Sequence, residues 1–236
     1  MYSCIDRRKS TRKFDMSPLP GDQIDQINAE IKALRPLFLG IKVKIELCEG
    51  ISLSGPFAIK APYYLLCYSE RADGFLYNAG FLMQQMDLLL SSMGLGSCYL
   101  GAAKPKAKEN NGLHYVIALA VGRGMESPYR RLDGFKRKPI SDICRGGDPR
   151  IESARLAPSG VNKQPWYFLC NDQGIDIYRK KLNIIEAAIY ERLNQIDMGI
   201  ALCHLYVATK AMDMSFSFVR GSGPDIEGFQ RIGRVT

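Results

Sequence analysis

The sequence predicts an α+β protein made of two related halves, each with strands packed by a long helix, on three observations. Two apolar helices recur at a fixed offset: Ala79, Leu82, Met83, Met86, Leu89, Leu90 and Met93 fall at helical spacing, and Met198, Ala201, Leu202, Leu205, Ala208, Thr209 and Met212 repeat it 119 positions later. Each long helix is preceded by a short helix that a proline ends, and then by an apolar strand-like run. Further runs of aromatic and branched residues supply the remaining strands.

Taken in chain order, residues 24–34 carry Ile24, Ile27, Ile31 and Leu34 on one helical face, and Pro36 ends that helix. Ile41 to Leu47 follows as a strand, and Tyr63 to Tyr68 as another. The apolar stretch from Phe75 to Met93 is interrupted by Asn78, Gln84, Gln85 and Asp87, so it reads as a buried helix rather than a membrane span. Met93-Gly94-Leu95-Gly96-Ser97-Cys98-Tyr99-Leu100-Gly101 closes it, with glycines suited to a helix stop and a close backbone approach. Tyr115 to Val121 is a strand that Gly122 bounds. The Gly- and charge-rich stretch Arg145–Pro149 marks the boundary between a first half, residues 1–145, and a second, residues 146–236. In the second half, residues 151–156 form the short helix ahead of Pro158, Trp166 to Cys170 the strand, and Met198 to Met212 the long helix. No low-complexity linker separates the halves, which predicts intimate packing.

Composition narrows the class. In 236 residues, 46% are hydrophobic and 24% charged, as in ordinary globular proteins. The opening MYSCIDRRKS runs straight into charge, unlike a secretory signal. Seven cysteines without a CxxC pair, beside two histidines, argue against a zinc site, an iron–sulfur site and a disulfide framework, and the expected location is the cytoplasm. The net charge of +8 concentrates at residues 7–13 and 129–138, which read as a solvated basic face, a nucleic-acid patch or a pocket for a phosphate.

Two segments carry chemistry. Arg7, Arg8, Lys9, Ser10 and Arg12 offer guanidinium forks, an ammonium and a hydroxyl, the converging charge-assisted donors a phosphate monoester needs. Residues 154–168 read ARLAPSGVNKQPWYF: Pro158, Ser159 and Gly160 turn the chain after a helix, and Asn162 and Gln164 set amides beside Pro165 and Trp166. A planar heterocycle edged with carbonyls and ring nitrogens requires such a polar loop with approachable backbone. Trp166 reads as an anchor beneath that loop, and Cys98 as packing.

RRKSTRKF, GLGSCYLG, RKPISDI and ARLAPSGVNKQPWYF together resemble the signatures of the FMN-dependent nitroreductase family. The resemblance implies a nitroreductase-like α+β fold with FMN at the junction of two family units, and electrons passing from NADH or NADPH to nitroaromatic, quinone or flavin acceptors. Arg8, Lys9 and Ser10 would hold the phosphate and ribityl end, with Arg137 as a second phosphate contact. Arg12 would lie near the pyrimidine edge. Tyr99, Leu100 and Gly101 would flank the ring, and Pro158, Ser159 and Gly160 would meet it from across the junction, in a loop ordered by Asn162 and Gln164. The flavin would carry the chemistry, and no side chain is nominated as an acid or base.

The chain departs from the family order, since the PS-x-x-N loop comes after the GLG segment instead of soon after the arm. Shifted back 122 positions, Pro158 meets Pro36, whereas Ser159 meets Leu37, Asn162 meets Gly40 and Gln164 meets Lys42. Each half lacks what the other supplies. This implies a single-chain pseudo-dimer with one complete flavin site, monomeric or a weak homo-oligomer, with neither a nucleic-acid nor a membrane partner. The competing readings are an FMN-binding electron carrier or flavin reductase without nitro turnover and, from the basic runs, a nucleic-acid-binding protein. KRKP at 136–139 is either the close of the first half or the worn remnant of a second basic arm.

Overall fold

In the computed structural model, which describes residues 1–221 and 223–236, the elements run α1 (Gly21–Ala33), β1 (Val43–Glu49), β2 (Tyr63–Ser69), α2 (Phe75–Ser92), β3 (Gly96–Leu100), β4 (Glu109–Asn110), β5 (Leu113–Gly122), α3 (Ile140–Ile143), β6 (Cys144–Arg145), α4 (Ile151–Arg155), β7 (Trp166–Asn171), β8 (Gly174–Lys180), α5 (Ile184–Ala211), β9 (Phe218–Arg220) and β10 (Phe229–Val235). The α+β class expected from the sequence is what forms.

Two sheets result. The first is ordered β1-β2-β5-β3, with β4 on β5; the second is β6-β7-β8-β10-β9. Apart from β4 and β6 the two orders correspond strand for strand, and those pairs are all antiparallel. The pairing of the second strand with the last is irregular in both, at Cys67/Tyr68 and at Arg231/Gly233.

Strand alternation places side chains on opposite faces. In β2, Tyr63, Leu65 and Cys67 turn toward the main core, while Tyr64, Leu66 and Tyr68 join Phe14, Leu100, Ala118 and Ala120 in a second cluster. The main core also takes α2, α5, Trp166 and Phe168, so it runs through both halves.

α2 and α5 pack on each other with reciprocal contacts. A Cβ added at Gly80 would collide with the Ile196 carbonyl, and one added at Gly199 with the Tyr77 carbonyl. Since Tyr77 and Ile196, like Gly80 and Gly199, stand 119 positions apart, residue i of one helix meets j of the other and the reverse, the contact pattern of a two-fold axis. Only glycine lets the backbones approach this closely.

Several expectations shift. α5 begins at Ile184, far ahead of Met198, fixed by a capping box in which Asn183 Oδ1 accepts from the Glu186 amide at 2.8 Å. β1 starts at Val43, not Ile41. The GLG segment is not a plain helix stop, because Gly96 to Leu100 pairs with β5. β8, β9 and β10 carry no expectation from the sequence, although the alternation in GIDIYRK and the turn at 171–174 are strand and hairpin signals. At the expected boundary, Cys144–Arg145 pairs in parallel with β7, so the end of the first segment is stitched into the second sheet.

Candidate functional site

The basic N-terminal segment is not a free tail. Arg8 bridges Tyr129, Ser10 bridges Ser97, and Phe14 bridges Gly124, so residues 8–14 lie extended between β3 and the chain after β5. Lys9 N donates to the Pro128 carbonyl at 3.1 Å, and Thr11 N to that of Ser97 at 2.9 Å. The Arg130 amide donates to Arg7 O at 2.7 Å and its Nε to Arg8 O at 3.2 Å.

Arg8 is 2% exposed, and its Nε pairs with Asp87 Oδ2 at 2.8 Å, with a further contact to Ser10 Oγ at 3.4 Å. The expectation that Arg8 grips a ligand directly therefore meets a side chain already half committed inside the protein. Asp87 also accepts from Ser97 Oγ and from Gln84 Nε2. Gln84 Oε1 accepts from Tyr99 OH at 3.0 Å, and Gln84 Nε2 lies 3.0 Å from His204 Nε2. Nδ1 of His204 lies 2.7 Å from the Ser153 carbonyl, which can only accept, so the proton sits on Nδ1 and Nε2 receives the glutamine amide. Burial holds His204 down to about 3, which keeps it neutral. This network ties the arm to α2, β3, α4 and α5.

Around Arg8 the positive charge is only partly neutralised. Lys9, Ser10, Arg12, Arg130 and Gly134 line a cleft of about 400 Å³, a volume in the range of small-molecule sites, together with Glu126, which pairs with Lys9 at 3.3 Å. Burial, then Arg8 and Arg12, push the Arg130 guanidinium down. Burial, then Arg8, Arg130 and Arg155, bring Arg137 down to about 10. Phe135 sits between two of these cations, 4.7 Å from Arg130 Cζ and 5.4 Å from Arg137 Cζ. Among the described residues Arg12, Arg130 and Arg137 have no carboxylate partner, and Arg137 Nε is buried without any hydrogen-bond partner. Guanidiniums crowded in this way favour an anion between them.

Arg137 also reaches the polar turn. Its Nη1 donates to Asn162 Oδ1 at 2.8 Å and its Nη2 to the Leu156 carbonyl at 3.2 Å. Asn162 Nδ2 donates to Lys136 O at 2.7 Å, Lys138 N to Gln164 Oε1 at 2.8 Å, and Gln164 N to Ser159 Oγ at 2.9 Å. Residues 136–138 are thus the strap that binds the turn toward the arm. Within the turn Val161, Asn162 and Gln164 hold φ of 44°, 58° and 49°, a left-handed conformation that costs non-glycine residues about 1–3 kcal/mol each and concentrates at ligand sites. Pro158 is buried, Ser159 and Gly160 half-buried, and Trp166 is 1% exposed in the core beneath.

Gly101 and Gly160 come together at one side chain. A Cβ on Gly101 would lie 2.9 Å from Leu193 Cδ2, and one on Gly160 3.8 Å from Leu193 Cβ. The other members of that segment turn elsewhere: Tyr99 OH goes to Gln84, and Leu100 is buried with Phe14 and Tyr64. Their backbone alone remains for a ligand. Burial raises the Cys98 thiol, in keeping with packing.

Asp87, Arg130, Phe135, Asp197 and His204 take part in the site although the sequence singled none of them out for it. Asp87 and Gln84 were visible as polar breaks in an apolar helix. Asp197 could have been found by the 119-residue offset, which pairs it with Asn78, another such break. No group of three His, Cys, Asp or Glu side chains among the described residues could hold a metal ion, and no helix among them is long and apolar enough to cross a membrane.

The family model described as "Putative TM nitroreductase" matches residues 1–209. A putative nitroreductase from Thermotoga maritima MSB8 is similar in structure, with a TM-score of 0.65 at 21% identity over 98% of this chain and 92% of that one. A nitroreductase family protein from Streptococcus pneumoniae TIGR4 gives 0.48 at 12% identity over 62% and 100%, and an FMN-dependent nitroreductase from Clostridium difficile R20291 gives 0.44 at 16% over 61% and 94%. No curated protein matches.

Proposed function

The chain belongs to the family described as "Putative TM nitroreductase", and from that premise we propose that it is an FMN-dependent oxidoreductase with one flavin site per chain. The observation that carries the reading is the set of guanidiniums without a carboxylate partner among the described residues, Arg12, Arg130 and Arg137, joined by Arg137 to the strained polar turn 158–164. Arg137 Nε, buried and without a hydrogen-bond partner among the described residues, is a donor that fits a phosphorylated ligand.

Bound FMN would supply two-electron, hydride-accepting chemistry from NADH or NADPH toward nitroaromatic, quinone or flavin acceptors. The protein's part is to bind and orient. Lys9, Ser10, Arg130 and Arg137 hold the phosphate end, while Arg8 positions Ser10 and the arm from its buried pair with Asp87. Arg12 supplies a cation at the rim of the cleft. Ser159 and Gly160, with the backbone at Tyr99, Leu100 and Gly101, bound the ring, and Asn162 and Gln164 keep the turn in place.

One flavin per chain follows from a duplicated architecture, residues 1–145 and 146–236, in which one junction keeps the polar groups. The matching sheet orders and the reciprocal Gly80 and Gly199 contacts support it. So does the opposite junction, where the Phe38 ring packs 6.1 Å from Phe218.

The absorbance of purified protein, followed by NADH and NADPH oxidation with and without nitrofurazone or a quinone, tests this. Near one flavin per chain with turnover is expected. Flavin without turnover from either donor would favour a carrier, and two flavins per chain would refute the single site.

A further inference from the structure

We propose that Asp197 is a positioning residue of this site: through Gly160 it latches the 158–164 turn, and it does so as a carboxylate, so that flavin retention depends on its ionisation. This rests on the flavin reading above.

Asp197 is 4% exposed on α5, and both of its oxygens face the Gly160 amide, at 3.0 and 3.1 Å. Gly160 is the hinge between buried Pro158 and the three left-handed residues that follow. A turn with that much stored strain keeps its shape only if something over-determines it. Among the described residues no cation pairs with Asp197. The titratable group that feels it is Tyr99 of β3, whose phenol burial keeps neutral and whose hydroxyl is engaged by Gln84. One turn earlier on α5, Asn194 Oδ1 is buried and unpartnered. Burial brings the Asp197 carboxyl up to about 7, against the opposing pull of the Gly160 hydrogen bond.

The molecule holds its own control. Asn78 stands 119 positions before Asp197, and its Oδ1 accepts from the amides of Leu37 at 2.8 Å and Phe38 at 3.2 Å. Phe38 is the counterpart of Gly160 under the 122-residue shift. An amide therefore suffices to hold the turn at the junction filled with aromatics, where none of residues 36–42 is left-handed. At the polar junction the same place holds a group that can lose a proton. A hydrogen bond to a charged acceptor is worth more than one to a neutral acceptor, and a buried unpaired carboxylate is costly to keep for structure alone.

The test is flavin titration of the whole chain from pH 5.5 to 8.5, with FMN and with riboflavin, which has no phosphate to titrate. The natural chain should bind both about five- to tenfold more tightly at the alkaline end. Asp197→Asn should bind with no such step, as Asn78 predicts, and Asp197→Ala should bind weakly throughout. The 15N shift of the Gly160 amide should titrate in the flavin-free natural chain and stay flat in Asp197→Asn. Matching pH profiles in the natural chain and Asp197→Asn would overturn the proposal. Were no flavin to bind at any pH, the flavin reading would fail, while the Gly160 shift would still decide whether Asp197 latches the turn.

Discussion

The turns at 36–42 and 158–164 both connect a helix to a strand, the second through three left-handed residues and the first through none, and have opposite interiors. Both follow a helix ended at a proline, and both give amides to a side chain on the neighbouring long helix, Asn78 in one and Asp197 in the other. At the first turn the pivotal residue is Phe38. Its ring lies so close to Gly74 that a Cβ there would come within 2.8 Å of it, and Phe218 covers the other side. At the second turn the pivot is Gly160, and the opposing position carries Leu193 in place of Gly74. The large side chain has changed sides. A scaffold can keep its hydrogen bonds and lose its binding site by moving a ring into the space, because a packed interior leaves no spare volume.

Exchanging the pivots should have the largest effect. In Gly160→Phe a Cβ meets nothing closer than 3.6 Å, so the backbone tolerates the change, yet the ring would fill the junction. Measurable flavin binding should vanish while circular dichroism and the melting temperature hold; intact binding would break the comparison.

Arg8→Ala comes next. It strands the Asp87 carboxylate, which is fully buried, and should cost about 3–5 kcal/mol of stability, or roughly 6–20 °C in melting temperature. An effect on flavin affinity without that loss would place Arg8 on the ligand instead.

The pH dependence of stability sharpens the contrast between the two latches. Burial holds Asp197 up to about 7, against about 4 in the unfolded chain, so its contribution to the global fold is full below pH 4 and is lost as pH rises toward 7. The local Gly160 hydrogen bond pulls the other way and gains on ionisation. His204 is held down to about 3, against about 6.5 unfolded, so its contribution is full above pH 6.5 and is lost as pH falls. Between about pH 4 and 6.5 the slopes oppose each other. Asp197→Asn removes one of them, and denaturant titrations should then show stability rising by about 1 kcal/mol per pH unit where the natural chain is nearly level. Equal slopes would remove Asp197 from the pH account.

Phe38→Gly should change flavin binding least. Emptying the closed junction lowers stability by about 1–3 kcal/mol, and the flavin count should stay at one, since Leu37, Gly40 and Lys42 replace the polar groups there. A second equivalent would mean that the ring alone had closed that junction.

The α+β class, the two long helices with their 119-residue offset, and the polar turn from Pro158 to Gln164 are all legible in the order of residues. Those are local or periodic signals: a helix face repeats every 3.6 residues, and a proline stops a helix wherever it falls. The same order also marked residues 129–138 as charged without saying which of them mattered. Folding is what turns Arg8 inward to Asp87 while Arg130 and Arg137 stay without a carboxylate among the described residues, buries Leu100 while Gly101 meets Leu193, and sets Asp197 behind Gly160. Pairing and burial join residues far apart in the chain, and charge in a sequence carries no record of which partner will take it.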